Sequence, residues 1–245
     1  MASKATAWSV HLFTASGAVF AVFALWEIQH GGFARAAIYM LAALAIDSVD
    51  GTLARRVGVA ERLPRIDGRT LDDVVDYLNY AIVPVVWLLA LGSFVHWSVA
   101  ILPVLASSYA FAQVDVKTED DFFLGWPSYW NVVALYVWLL DLSPATASAW
   151  VALFAFLTFV PLKYIYPSKM RRLRGPTAIG GMLWMIAMAL ISQRPPGSAR
   201  DLATWGSLAF PAWYVALSAW LGGWWAQVSR SESKAGEGHQ DRKSS

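Results

Sequence analysis

The sequence contains no cysteine and only four histidines among its 245 residues. The absence of cysteine excludes disulfide bonds and thiolate metal ligands, and the shortage of histidine argues against zinc, which relies on these two residue types. Charged residues are also scarce, at 15% of the chain, and the net charge of +2 by itself indicates no partner. We expect no nucleic-acid partner.

Apolar residues, by contrast, are abundant. They make up 57% of the chain, including 14 tryptophans, and the mean hydropathy is +0.45. This is more apolar surface than a soluble domain can bury in one core, so a membrane is the expected solvent. Candidate spans cover residues 8–29, 33–54, 72–92, 95–114, 127–142, 147–166, 177–193 and 204–228. The sequence therefore predicts an all-α, polytopic integral membrane protein with about eight transmembrane helices.

Lysine and arginine in short loops predict the orientation of these spans. The most basic loops cover residues 55–69 and 163–174, whereas the loops near 92–97 and 141–146 are almost uncharged. Basic loops resist translocation, so these two should face the cytoplasm, and an even number of spans then places both termini there. We expect a membrane domain over 1–228, followed by a polar cytoplasmic tail over 229–245 that is disordered.

Carboxylates are concentrated where two adjacent spans meet their connecting loop. The stretch DSVDGTLARR at 47–56 carries Asp47, Asp50, Gly51 and Ala54 at offsets that share one helical face. Beyond the loop, GRTLDDVVDYLNY at 68–80 carries Gly68, Asp72, Asp76 and Tyr80 at four-residue steps. Two neighbouring helices therefore aim four carboxylates at one another.

Clustered carboxylates at a membrane interface repel each other and lose solvation, so they stay ionised only beside cations or strong donors. Oxygen ligands alone suit Mg²⁺, Mn²⁺ or Ca²⁺. Gly51 and Gly68 would allow a nucleotide to approach the backbone, and Arg55 would hold phosphate oxygens. The alternative is a solvated set of salt bridges, in which the aspartates cap helix ends and pair with nearby arginines.

The combined pattern D-x-x-D-G-x-x-A-R and G-x-x-x-D-x-x-x-D resembles the signature of the CDP-alcohol phosphotransferases. It is matched by Asp47, Asp50, Gly51, Ala54, Arg55, Gly68, Asp72 and Asp76. The gap between its two halves, residues 56–67, is longer than the family's usual one. That gap, and stretches such as KTEDDFFLGWPSYWN at 117–131, resemble one branch, the bacterial phosphatidylcholine synthases. The resemblance extends over about residues 8–228.

This resemblance implies an enzyme of the bacterial inner membrane that transfers the phosphatidyl group of CDP-diacylglycerol to choline and releases CMP. It implies that Asp47, Asp50, Asp72 and Asp76 hold a pair of Mn²⁺ or Mg²⁺ ions, with Asp76 also acting as the base. Asp50, Gly51, Ala54, Arg55 and Gly68 would line the nucleotide site. Relatives are often dimers, so a homodimer is possible. The alternatives are another acceptor (serine, inositol or glycerol phosphate) and a cation transporter or structural membrane protein.

Choline presents a trimethylammonium group, which aromatic faces and nearby acids bind. The candidates are Tyr77, Tyr80, Tyr129 and Glu119. Arg171 and Arg174 belong either to a loop that is basic because it faces the cytoplasm or to a site for lipid phosphate.

Three further polar residues lie at or near the predicted site. His11 and Thr14, in the first span, either line the nucleotide side or make hydrogen bonds between helices. Asp73 points away from the Asp72 face, so we expect it to be a helix-start charge or a partner for Arg69 rather than a metal ligand.

Overall fold

The computed structural model of the chain describes residues 3–113, 118, 122–167, 169–170 and 172–222. This part of the chain is almost entirely helical. The α-helices are α1 (Lys4–Gln29), α2 (Phe33–Val57), α3 (Val59–Arg62), α4 (Gly68–Tyr77), α5 (Val83–Ala90), α6 (Ile101–Ala112), α7 (Trp130–Leu139), α8 (Pro144–Leu157), α9 (Arg174–Ser192), α10 (Ser198–Ser207) and α11 (Ala209–Gly222). A π-helical turn, Leu78–Ile82, joins α4 to α5, and a 3₁₀ turn, Trp97–Ala100, precedes α6.

Among the described residues, four helical segments are long and apolar enough to cross a membrane. They are Lys4–Gln29, Phe33–Val57, Gly68–Ala90 and Arg174–Ser192. Shorter apolar helices occupy Trp97–Ala112, Trp130–Leu139 and Pro144–Leu157. The predicted all-α, multi-pass membrane fold is therefore confirmed, whereas the count of eight spans stays a prediction.

Within the predicted span over 204–228, the helix is interrupted at Leu208, between α10 and α11, so the described helix of that span begins at Ala209. Pro211 lies four residues after Ser207 and has no amide hydrogen to donate to that carbonyl. A proline ring also crowds the carbonyl four residues earlier, which breaks a helix. The hydropathy of the segment gave no sign of this break. Residues 223–228 and the predicted tail, 229–245, lie outside the described residues.

Helices α1 and α2 form a tightly packed antiparallel pair. Gly31 adopts a left-handed conformation (φ 70°) in the turn between them, and an ion pair joins Arg35 to Glu27 across it at 2.8 Å. Small residues line the contact and are fully buried, among them Ala21, Ala24, Ala36 and Ala37. Small side chains let the backbones of membrane helices approach closely.

The π-helical turn lies in the third long segment, immediately after α4. Asn79, in this turn, donates from Nδ2 to the carbonyls of Gly17 (3.1 Å) and Val75 (2.9 Å), so the turn is fastened to α1. A π-helical turn inserted in an α-helix is rare and often marks a functional site. The turn gives Asn79 and Tyr80 the positions they need to reach neighbouring helices.

Two three-residue strands form a small antiparallel pair, β1 (Phe122–Leu124) and β2 (Lys163–Ile165). Ile165 fastens this pair to α11, because its amide donates to the Ser218 hydroxyl (3.1 Å) and its carbonyl accepts from the Tyr214 hydroxyl (3.1 Å). The predicted apolar span over 147–166 did not anticipate β2, which occupies its last residues. The contact brings α11 beside the segment that precedes α7.

Replacing Gly17 with alanine should separate α1 from α4. A Cβ atom at position 17 would lie 2.7 Å from Cγ1 of Val75, too close for an ordinary contact. We expect Gly17→Ala to lower the free energy of unfolding by about 1–3 kcal/mol, as overpacking does. Thermal unfolding in detergent would measure this.

The matched control for Gly17→Ala is Gly206→Ala, whose new Cβ atom meets open space within the described residues. Alanine favours a helix over glycine by about 0.5–1 kcal/mol, so this variant should be unchanged or slightly stabilised. Equal melting temperatures for Gly17→Ala and the unmodified protein would contradict the close contact.

Candidate functional site

Three of the predicted carboxylates converge at the facing ends of α2 and α4. Asp47, Asp50 and Asp72 each offer a carboxylate oxygen, and these atoms lie within 4.8 Å of one another. Asp50 is only 4% exposed, and the other two are half-buried. A cluster of oxygen ligands without cysteine or histidine fits a hard divalent cation such as Mg²⁺ or Mn²⁺.

Asp76, the fourth predicted ligand, lies one helical turn beyond Asp72 and outside the set of three. It is half-buried and lies near the buried Tyr80 and the partly buried Tyr129. Asp47 lies near the same two tyrosines, so both carboxylates adjoin the aromatic residues.

Asp67 caps α4, the helix that carries Asp72 and Asp76. Its carboxylate accepts hydrogen bonds from the Thr70 hydroxyl (2.9 Å) and the Arg69 amide (2.9 Å), which hold the pKa of Asp67 below its usual value. A cap of this kind satisfies amide groups that the first turn leaves free. Asp67 thus defines where α4 begins, five residues before Asp72.

Hydroxyl donors accompany two of the clustered carboxylates. The Tyr80 hydroxyl donates to Oδ2 of Asp47 at 2.6 Å. The Thr14 hydroxyl hydrogen-bonds to Asp50, which also accepts from the Gly51 amide and lies near Arg55. Such donors stabilise the charged form of a carboxylate that has lost much of its solvation. Thr14 therefore joins α1 to the cluster.

The residues predicted for the nucleotide side surround the same ends of α2 and α4. A Cβ atom at Gly51 would lie 3.3 Å from the Arg55 guanidinium, and one at Gly68 would lie 3.3 Å from Cε1 of His11. Ala54 packs on the cluster formed by α1 and Val59. His11 is 7% exposed, and its Nε2 atom has no hydrogen-bond partner among the described residues.

An aromatic cluster adjoins the carboxylates through Tyr80. Its ring lies 6.2 Å from the ring of Tyr129, which in turn contacts Trp126 (6.2 Å) and Tyr214 (5.7 Å). Tyr164 stacks on Tyr214 at 6.5 Å. Trp126, Tyr164 and Tyr214 were missed by sequence reasoning, because they come from separate elements and no local spacing connects them.

The remaining predicted site residues have other surroundings. The Tyr77 hydroxyl is hydrogen-bonded to Ser108 of α6 (3.0 Å), and its ring packs edge-on against Phe111. Arg174 begins α9 and is exposed. Glu119 and Arg171 lie outside the described residues. The expectation for Asp73 is confirmed, since it lies 3.7 Å from Arg69 in an ion pair.

Comparison with known proteins gives a family match. The sequence model of the CDP-alcohol phosphatidyltransferases matches residues 9–160, which include α1, α2 and α4 and therefore all four aspartates.

Individual related proteins match over more of the chain than the family model does. A Legionella pneumophila protein named phosphatidylcholine synthase is 42% identical over 169 residues, 67% of this chain and 66% of that protein. A Pseudomonas aeruginosa protein of the same name is 34% identical over 222 residues, 89% of this chain and 92% of its own. One from Borreliella burgdorferi, again of that name, is 37% identical over 69% of this chain and 73% of its own.

Proposed function

The chain belongs to the CDP-alcohol phosphatidyltransferase family, and we propose that it is a phosphatidylcholine synthase that transfers the phosphatidyl group of CDP-diacylglycerol to choline. The observation that carries the proposal is the position of the Asp47, Asp50 and Asp72 cluster, which adjoins an aromatic surface through Tyr80. Cations held by the carboxylate cluster would bind the anionic pyrophosphate of CDP-diacylglycerol. The aromatic surface would bind the quaternary ammonium group of choline. Relatives bearing that name support the choice of acceptor.

Asp47, Asp50 and Asp72, with Asp76 one turn away, would hold two Mn²⁺ or Mg²⁺ ions. Bound there, the ions would neutralise the pyrophosphate charge and stabilise the leaving group. The donor set fits, because carboxylate oxygens are what these cations prefer. The nucleotide would bind near Gly51, Ala54 and Gly68, with Arg55 holding phosphate oxygens and Asp50 completing the site. The absence of side chains at the two glycines allows the close approach of Arg55 and His11.

The reaction exchanges the phosphoanhydride bond of the pyrophosphate for a new phosphate ester bond to choline. The choline hydroxyl oxygen attacks the phosphorus that bears diacylglycerol, and the bond from that phosphorus to the bridging pyrophosphate oxygen breaks. CMP leaves with that oxygen, and the hydroxyl proton passes to the carboxylate of Asp76. The proximity of Asp76 to Tyr80 and Tyr129, against which choline would lie, supports this role.

The choline ammonium group would lie against Tyr80 and Tyr129, with Trp126 and Tyr214 completing the wall. Their ring faces attract a cation that has no hydrogen to donate, and Asp76 adds negative charge nearby. Tyr77, engaged with Ser108, is left out of this site. Glu119 stays a candidate from sequence alone.

We place the site on the cytoplasmic side of the bacterial inner membrane, where both substrates arrive. The basic residues at 55–69 and 163–174 support this orientation, with both termini cytoplasmic. Arg171 and Arg174 would contact the phosphates of CDP-diacylglycerol or of neighbouring lipids. A homodimer remains compatible with the exposed apolar helix faces.

Two alternative functions predict different outcomes in an assay of CMP release. The same chemistry with serine, inositol or glycerol phosphate would use another acceptor, and a cation carrier would not cleave the nucleotide. Carriers place charged groups near the middle of the bilayer. Here the four carboxylates lie in the halves of Phe33–Val57 and Gly68–Ala90 that adjoin a loop rich in arginine, which favours an enzyme.

Acceptor choice is tested by CMP release from labelled CDP-diacylglycerol. Purified protein in detergent with Mn²⁺ should release CMP with choline, and little with serine, inositol or glycerol phosphate. Chelation of the metal should stop the reaction. If glycerol phosphate supported CMP release as well as choline does, the assignment of choline as the acceptor would be wrong. If no acceptor supported CMP release, the proposal that the protein is an enzyme would be contradicted.

Asp76→Asn tests the proposed base. Losing a general base slows turnover by about 10²–10⁴-fold, while CDP-diacylglycerol binding should largely persist. The control is Asp73→Asn, which removes the neighbouring acid that pairs with Arg69 and should keep most of the turnover. Initial rates of CMP release and binding of labelled nucleotide measure the two effects. Full turnover by Asp76→Asn would remove this residue as the base.

Tyr129→Leu tests the aromatic wall. A cation–π contact contributes about 0.5–2 kcal/mol, so the KM for choline should rise several-fold to about 30-fold while the KM for CDP-diacylglycerol changes little. Tyr39→Leu is the control, because that ring packs on Phe20 and Phe23 in the α1–α2 pair. An unchanged KM for choline in Tyr129→Leu would place the ammonium group elsewhere.

A further inference from the structure

Tyr80 is the one residue in the described site whose side chain contacts both the carboxylate cluster and the aromatic surface. Its hydroxyl donates to Oδ2 of Asp47 at 2.6 Å, and its ring lies 6.2 Å from that of Tyr129. The residue is only 6% exposed. Water therefore competes poorly for this hydrogen bond, which is short, as bonds from a hydroxyl to a carboxylate are.

The backbone around Tyr80 is held as firmly as its side chain. It lies in the π-helical turn Leu78–Ile82, and its neighbour Asn79 ties that turn to the carbonyls of Gly17 and Val75. The two hydrogen bonds of Asn79 hold the backbone of the turn in a position from which the Tyr80 hydroxyl points toward α2. The hydrogen bond therefore reaches Asp47 from a segment other than α2, which carries Asp47.

We propose that the Tyr80 hydroxyl is a positioning group for the metal ligand Asp47, in addition to the contact that its ring makes with the choline site. Donation to one oxygen restricts rotation of the carboxylate, so its orientation toward Asp50 and Asp72 is set before any cation binds. The inference rests on the proposed metal site. It makes Tyr80 the residue that joins cation binding to acceptor binding.

Groups that orient metal ligands have a measurable effect on affinity, because an unrestrained ligand must be ordered when the cation binds. Losing such a partner typically weakens metal binding by about 10–100-fold. Removing only the hydroxyl, with Tyr80→Phe, retains the ring and its packing on Tyr129. The two roles of the side chain can thus be separated in one variant.

The test is Mn²⁺ binding by isothermal titration in the absence of substrates. Tyr80→Phe should bind Mn²⁺ about 10-fold or more weakly than the unmodified protein, and its Mn²⁺-induced rise in melting temperature should shrink. The KM for choline should change little. Tyr77→Phe is the matched control, because it removes a hydroxyl from α4 that faces Ser108, and its Mn²⁺ affinity should be unchanged.

Unchanged Mn²⁺ affinity in Tyr80→Phe, or an equal loss in Tyr77→Phe, would overturn the inference. Asp47→Asn separates this failure from failure of the proposed site. If Asp47→Asn weakens Mn²⁺ binding and Tyr80→Phe does not, the metal site stands and the positioning role is wrong. If Asp47→Asn also leaves binding unchanged, the proposed metal site itself is wrong. Melting temperatures without Mn²⁺ show whether each variant retains the fold.

Discussion

The carboxylates of the cluster repel one another where little water is present to solvate them. The other features of the site depend on how this repulsion is offset. Asp47, Asp50 and Asp72 bring oxygens within 4.8 Å of one another, at the ends of helices that are otherwise apolar. Uncompensated, such charges would protonate or move apart. Hydroxyls from Thr14 and Tyr80 reach two of them. A divalent cation bound there would supply the compensation that neutral donors cannot, which is why we propose a metal site at this cluster.

Helix α1 carries none of the clustered acids, yet it holds together the two helices that do. It packs along α2 through small residues, and it meets the α4 segment where Asn79 donates to the Gly17 carbonyl. The same helix contributes Thr14 beside Asp50 and His11 beside Gly68. Close approach at Gly17 therefore fixes the distance between α2 and α4. The geometry of the carboxylates depends on a contact made by a residue without a side chain.

The part of the site that follows from helical period could be predicted from sequence. Offsets of three and four residues place Asp47 and Asp50 on one face, and the structure brings both to Asp72. The aromatic cluster could not be predicted, since Tyr164 lies on β2 and Tyr214 on α11, joined only through tertiary contacts. Nor could the π-helical turn, because Tyr80 falls on the same four-residue step whether or not the helix widens. Local spacing carries no information about which elements meet.

The site is thus assembled from two parts of the chain that differ in what they share with relatives. The family match covers residues 9–160 and contains the aspartates, Tyr80 and Tyr129, whereas Tyr164 and Tyr214 follow it. In the proposed choline site, the later segment would supply one side of the aromatic wall, and it is fastened at Ile165 to α11. Tyr80 lies at the junction, so the arrangement of the carboxylates and the fit of the acceptor are set by the same side chain.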